Sequence, residues 1–318
     1  MGCATAPRWT PPWRPRGASP TAGNWNPSTA APSKAARWIF EMGARPVVGL
    51  ALGGGVARGV AHLGVLSVLL DAGIPIDVIA GTSAGSIIGA LYLRGVSVEE
   101  GLRLSRRLRW RDWASPVWPR RGLVSFRKME SWLEKVIGDP HFSDLPRPFA
   151  TVAMDIESGE RVVFREGRVI PAVRASCSVA GFVEPLDWEG RQLVDGSFVD
   201  TVPVSVARDL GAEYVIGVDI FVPALRRAWG AWGYLFSVIE RMVQNAGLGV
   251  RQADCIIRPD LSGTTYLRFS QAEALYRRGV EAARAALPRL RADLGEGRDW
   301  GEGSREQGLG SRGQDATS

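Results

Sequence analysis

The chain reads as an α/β protein, a mostly parallel sheet with helices on both faces, and three observations predict this. Apolar runs of strand length alternate with segments whose apolar residues recur at helical spacing. Two strand-to-helix junctions, at residues 53–55 and 81–85, are glycine-rich. An apolar fraction of 45% over 318 residues is enough to fill a hydrophobic core.

The elements follow in order. Residues 47–52 form an apolar strand that stops at Gly53-Gly54-Gly55, and residues 57–70 carry helical spacing. Asp71-Ala72-Gly73 ends that helix, with Pro75 just beyond. Residues 76–80 are a second strand, followed by Gly81-Thr82-Ser83-Ala84-Gly85 and a helix over 86–93. Strands at 149–156 and 161–164 flank Glu157-Ser158-Gly159-Glu160 as a hairpin. Further strands fall at 192–194, 214–218 and 255–257, with helices around 203–210, 234–246 and 271–287. Sheets of this kind bind ligands at the carboxyl ends of their strands.

These elements define one domain over residues 45–292, without an internal repeat. Residues 1–44 are rich in Pro, Gly, Ser and Thr, with Trp9, Trp13, Trp25 and Trp38 interspersed, and are expected to be a loosely ordered arm. Residues 293–318 are expected to be a disordered tail. No apolar run reaches the roughly 18 residues of a membrane-spanning helix. The net charge of +6 suits an anionic partner, but the arginines are scattered rather than gathered in a stripe, so no nucleic-acid partner is expected.

Three cysteines, Cys3, Cys177 and Cys255, make no CxxC pair and no metal spacing with the two histidines. Neither a metal nor another cofactor is expected. Gly2-Cys3-Ala4-Thr5-Ala6-Pro7 reads like the start of a mature lipoprotein whose cysteine carries lipid. No hydrophobic leader precedes it, so either the natural start lies upstream or the likeness is accidental.

Two loops carry chemistry. Gly81-Thr82-Ser83-Ala84-Gly85 is a G-x-S-x-G elbow between strand and helix, where a strained turn lifts a serine hydroxyl above the sheet. Read alone, it is also a glycine-rich turn with a capping hydroxyl. The loop Gly53-Gly54-Gly55-Val56-Ala57-Arg58-Gly59 opens a helix whose amides favour negative charge. A dinucleotide fingerprint fails because Val56 stands at its second glycine position, and no P-loop Lys follows. With a serine elbow on the next strand, an oxyanion is the better ligand.

The serine needs a base. His62 sits on an apolar helical stretch and reads as a core histidine; His141, with Asp112 or Asp139, leaves a Ser-acid-His triad open. The alternative is Asp195 in Leu193-Val194-Asp195-Gly196-Ser197, presented at a strand end, unless this is a simple Asp-Gly turn. An aspartate acts as such a base only if desolvated and held against the serine.

At this point the residues resemble a family. Residues 50–66 with the glycine loop, 73–85 with the elbow, 174–180, 193–196 and 203–208 closely resemble the bacterial patatin-like phospholipases over about 46–290. The resemblance implies an α/β/α sandwich and a Ser-Asp dyad without histidine that cleaves fatty-acyl esters of glycerolipids. It makes Ser83 the nucleophile, Asp195 the proton acceptor and the amides of Gly53, Gly54 and Gly55 the oxyanion hole, with Gly81, Gly85, Arg58, Gly59 and Gly196 as supporting residues. Two positions depart: Val56 stands where the family often has a fourth glycine, and Ser197 where it usually has Gly or Ala. Slower catalysis is expected from them.

A catalytically weak binding or regulatory protein is the competing class, and a thioesterase or soluble-ester hydrolase the competing enzyme. The expected partners are a lipid or acyl ester and, peripherally, a membrane surface. Trp229, Trp232, Tyr234 and Phe236 beside Arg226-Arg227 suit that surface, although core packing equally explains the helix that follows. The expected location is bacterial, cytoplasmic or peripheral to a membrane, with an envelope anchor if Cys3 is lipidated. Oligomeric state leaves no signature in the sequence.

Overall fold

The computed structural model describes residues 45–223, 230–265 and 269–295. The arm with Cys3, the segment holding Arg226, Arg227 and Trp229, and the tail from residue 296 lie outside the described residues, as does the side chain of Trp232.

Ten strands are described: β1 (Val48–Leu52), β2 (Val78–Thr82), β3 (Ser115–Pro116), β4 (Val124–Ser125), β5 (Phe149–Asp155), β6 (Arg161–Phe164), β7 (Leu186–Trp188), β8 (Arg191–Asp195), β9 (Tyr214–Val218) and β10 (Cys255–Ile257). The principal helices are α1 (Val60–Asp71), α2 (Ala84–Leu93), α3 (Val98–Arg107), α4 (Arg127–Ile137), α5 (Val169–Ser176), α6 (Val204–Asp209), α7 (Gly230–Gln244) and α8 (Ala272–Leu294). None of the described helices is long and apolar enough to cross a membrane.

Hydrogen bonding orders the main sheet β10-β9-β1-β2-β5-β8-β7, with β6 also on β5. Strands β10, β9, β1, β2 and β5 run parallel, whereas β6 and β8 are antiparallel to β5. Side-chain alternation separates two cores. Val48, Leu50, Leu52 and Ile79 face the larger cluster with α1, α2, α4, α5 and α8. Ala51, Val78 and Ala80 face the smaller one with Val204, Val206 and Ala207 of α6.

One junction positions everything that follows. A strand residue's N–H and C=O point to the same edge, and the edge alternates along the chain. On β5 the even-numbered residues serve one edge: Ile79 N–H donates to Pro148 O at 3.0 Å, and Ile156 N–H to Gln192 O at 2.9 Å. Strands β2 and β8 therefore share that edge end to end, while odd-numbered Asp155 bonds toward β6 through Glu160 O. The register pairs Thr82 with Val152 and Asp195 with Ala153, so the two strands run into each other head-on.

Several boundaries move from the sequence expectation. The second strand is Val78–Thr82 rather than 76–80, because Asp77 serves as its anchor and not as part of its ladder. The turn Val56–Gly59 is 3-10, with α-helix only from Val60. Helix α8 runs to Leu294 past the expected stop at 287, with Pro288 inside it. Pro288 is exposed, so water can reach the carbonyl its ring leaves unbonded, while Leu290 and Leu294 keep that last stretch buried. Helices α3, α4 and α5 and the short strand β7 were not expected. The strand of Asp195 ends, as expected, at the carboxyl edge of the parallel strands, but it arrives there antiparallel to β5.

Asp77 clasps the start of the sheet. Its Oδ2 accepts from Val48 N–H at 2.7 Å, and Arg45 reaches its two oxygens at 2.5 and 2.8 Å. The Asp77 amide donates back to Val48 O at 2.8 Å. Truncation to Asp77→Ala orphans the buried Val48 N–H and removes the ion pair with Arg45, and a loss of about 2–4 kcal/mol in urea unfolding is expected. An unfolding midpoint equal to wild type counts against the clasp.

Candidate active site

The head-on junction delivers two side chains to each other. Ser83, the residue after β2, has φ 51° and ψ −121°, a region sparsely populated by any residue with a Cβ. Three groups hold it there. Its N–H donates to Ser176 Oγ at 2.8 Å, and that hydroxyl donates onward to Val152 O at 2.5 Å. The Ser86 amide and hydroxyl both donate to Ser83 O, at 2.9 and 2.6 Å. Gly85 lets the elbow pass under β1, since a Cβ there would lie 2.1 Å from Leu52 O; at Gly81 a Cβ would lie 2.6 Å from Ser86 Cα.

Asp195 ends β8 and is buried. Ser83 Oγ donates to its Oδ2 at 2.6 Å, and Ser197 N–H donates to its Oδ1 at 2.8 Å. Burial raises the Asp195 pKa to about 6, although the hydrogen bonds from Ser83 and Ser197 pull the other way. Gly196 lets β8 close this tightly on β5, because a Cβ would stand 2.3 Å from Val152 O.

The glycine loop divides its amides, which corrects the expectation that all three serve an oxyanion. Gly53 N–H donates to Val218 O at 3.0 Å and Gly54 N–H to Thr201 O at 3.1 Å, so both hydrogens are committed to holding the loop. Gly55 N–H has no protein acceptor among the described residues, and Gly55 lines the cavity above Ser83. Ala84, first residue of α2, lines it too, and its N–H has no carbonyl behind it within the helix. Sequence reading missed Ala84, although an elbow places the amide after the nucleophile toward the developing charge. It also missed Ser176, which carries no motif signal beyond lying in the stretch 174–180.

Val56 has φ 52°, a costly conformation for a β-branched residue and one that glycine adopts freely. Arg58 is buried as a strut: Nε donates to Thr264 Oγ1 at 3.0 Å, Nη2 to Thr264 O at 2.7 Å, and Nη1 to Val222 O. Gly59 brings this turn against the elbow, where a Cβ would meet Ala84 Cβ at 2.8 Å.

Neither histidine reaches the pair. His62 Nε2 bonds Gly53 O at 2.8 Å, and since a carbonyl only accepts, Nε2 carries the proton and the ring props the loop. Burial lowers its pKa to about 4, so it is neutral. His141 is exposed and its backbone bonds Asp144; Asp139 pairs with Arg168, and Asp112 accepts from Arg109 N–H. A triad through His141 is not assembled.

Above the pair opens an apolar cavity of about 570 Å³, walled by Trp110, Trp113, Phe126, Phe182, Phe198 and Phe236 among others. Trp110 stacks on Phe126 and meets Phe182 edge-on. Cys177 also lines it, and burial keeps its thiol protonated. No group of acidic, His or Cys side chains among the described residues has a metal-binding arrangement.

The raised Asp195 pKa bears on stability. The folded state holds this proton more tightly than the unfolded chain, so stability present at low pH is lost as pH rises from about 4 through about 6. Asp195→Asn removes the ionised group, and the variant is expected to be the more stable at pH 8 by on the order of 3 kcal/mol. The gap closes toward pH 4. Urea titrations of both proteins at the two pH values measure it, and a wild type more stable than the variant at pH 8 overturns it.

Comparison with known proteins adds the lineage. The patatin-like phospholipase profile matches residues 50–208, which is half of the chain and includes both Ser83 and Asp195. Lysophospholipase NTE1 of Coccidioides immitis is 37% identical over 179 residues, covering 54% of this chain and 11% of that protein. Patatin-like phospholipase domain-containing protein 6 of Homo sapiens is 35% identical over 186 residues, covering 54% and 13%. The chain thus spans only about a tenth of the length of the curated relatives it matches. Among solved structures, VipD from Legionella pneumophila is similar at 13% identity and TM-score 0.49, covering 79% of this chain and 67% of that one. The assignment rests on the sequence matches, and by them the chain belongs to the patatin-like phospholipase family.

Proposed function

We propose that the protein hydrolyses fatty-acyl esters of glycerolipids, with Ser83 as nucleophile and Asp195 as its base. The observation that carries this is the 2.6 Å hydrogen bond from Ser83 Oγ to Asp195 Oδ2 at the floor of an apolar cavity. Relatives named as lysophospholipases support the substrate class.

The chemistry follows from the geometry. Ser83 Oγ attacks the ester carbonyl carbon as its proton passes to Asp195, and the carbonyl oxygen becomes an oxyanion. The amides of Gly55 and Ala84, with the positive end of α2 behind Ala84, stabilise that charge. Collapse expels the alcohol, which takes the proton from Asp195 and leaves the acyl group on Ser83. Water then attacks the acyl-enzyme, giving its proton to Asp195, and collapse returns the proton to Ser83 with release of the fatty acid. A carboxylate with pKa about 6 is a usable base at neutral pH, where one at its ordinary value is a weak one. The aromatic walls accept the acyl chain.

Ser83→Ala is expected to lower turnover of lysophospholipid and short-chain esters by at least about 10⁴-fold while the fold persists. Activity within tenfold of wild type overturns the nucleophile assignment. A panel of phospholipid, lysophospholipid and soluble ester substrates ranks the substrate class.

The pH profile tests the base. The value of kcat/KM is expected to fall tenfold per unit below about pH 6 as Asp195 is protonated, and to stay flat through pH 7 to 8. An acid limb near pH 4, or one that His62→Gln abolishes, counts against Asp195.

A further inference from the structure

We propose that the rim of the cavity is a bilayer-docking surface built from two elements, helix α7 and the tip of the β3–β4 hairpin. This rests on the hydrolase reading above and deepens it.

Helix α7 is apolar on opposite sides. Phe236, Ile239 and Val243 recur at helical spacing and line the catalytic cavity. Tyr234, Val238 and Met242 recur at four-residue spacing half a turn away, and all three are exposed, as is Leu235 between them. An exposed apolar face of this extent is the signature of an interaction surface. That face also carries exposed Arg241, and the one acid of the helix, Glu240, borders both the outer face and the cavity.

The hairpin is tied to a residue of the same cavity. Phe182 lines the cavity and is 37% exposed, and its carbonyl accepts from Leu123 N–H at 2.9 Å and Val124 N–H at 3.1 Å. The tip so anchored carries Trp118, 81% exposed, with exposed Arg120 and Leu123. Phe236, 56% exposed, brings α7 to the same cavity. Aromatic and aliphatic side chains interspersed with arginine are the composition that lies in a lipid interface.

Continuity with the cavity decides the occupant. A protein seated on α7 and the hairpin would close the opening through which an acyl chain enters. A bilayer pressed against both delivers the acyl chain to it, and the arginines favour anionic headgroups.

The test uses the full chain without lipidation and two variants, Trp118→Ser and Val238→Glu combined with Met242→Glu, none of which lines the catalytic cavity. Wild type is expected to co-sediment with phosphatidylcholine vesicles, and more strongly when they contain phosphatidylglycerol. Each variant is expected to bind at least about tenfold more weakly while hydrolysing a water-soluble butyrate ester at the wild-type rate. Variants that sediment like wild type overturn the proposal. So does a wild-type dimer in analytical ultracentrifugation that Val238→Glu with Met242→Glu makes monomeric. Soluble-ester turnover without vesicle binding by wild type overturns docking alone; no Ser83-dependent turnover overturns the hydrolase reading beneath it.

Discussion

A carboxylate is a poor base in water, and on the proposed mechanism the architecture answers to that one constraint. Asp195 must be dry enough for its pKa to rise, yet a dry anion lowers stability unless its oxygens are bonded. Ser83 Oγ and Ser197 N–H bond both oxygens, and the two cores around the sheet keep solvent from the rest. The group proposed as the base thus also weakens the fold at neutral pH.

Strain is concentrated beside that group. Ser83 and Val56 both hold positive φ, and their loops are braced from outside. Ser176 grips the elbow and ties it to Val152; His62 props the glycine loop; Arg58 links its first turn to the segments beyond β9 and β10. Gly54 fits between Ser197 and Ser83 with no room for a side chain, which locks the three loops into one body. Val56 marks where this chain carries a conformation that a glycine would relax.

The parts of the site legible in the sequence were those whose chemistry needs a local pattern. The elbow around Ser83 and the Asp195-Gly196 pair are short motifs because the turn itself imposes them, and β1, β2, β9 and β10 stand out as apolar runs. Ser176 was not legible: its role depends on α5 meeting both β2 and β5, and nothing within its own segment records that meeting. The division of amides among Gly53, Gly54 and Gly55 is likewise set by carbonyls of Val218 and Thr201, distant in sequence. Helices α3 and α4 were legible, since Val98, Gly101 and Leu102 and likewise Met129, Leu133 and Ile137 recur at helical spacing, whereas the direction of β8 was not, because a strand's pattern is the same read either way.

The end-to-end meeting of β2 and β8 has a temporal meaning as well as a spatial one. Ser83 and Asp195 are 112 residues apart and touch only when β8 has slotted onto the edge of β5 that β2 half occupies. A chain that stops short of β8 contains the serine turn but neither Asp195 nor Phe198 and Phe236 of the cavity wall. On the proposed mechanism, competence to cleave an ester therefore waits on a long-range contact, and a partly folded chain carries the serine without its base.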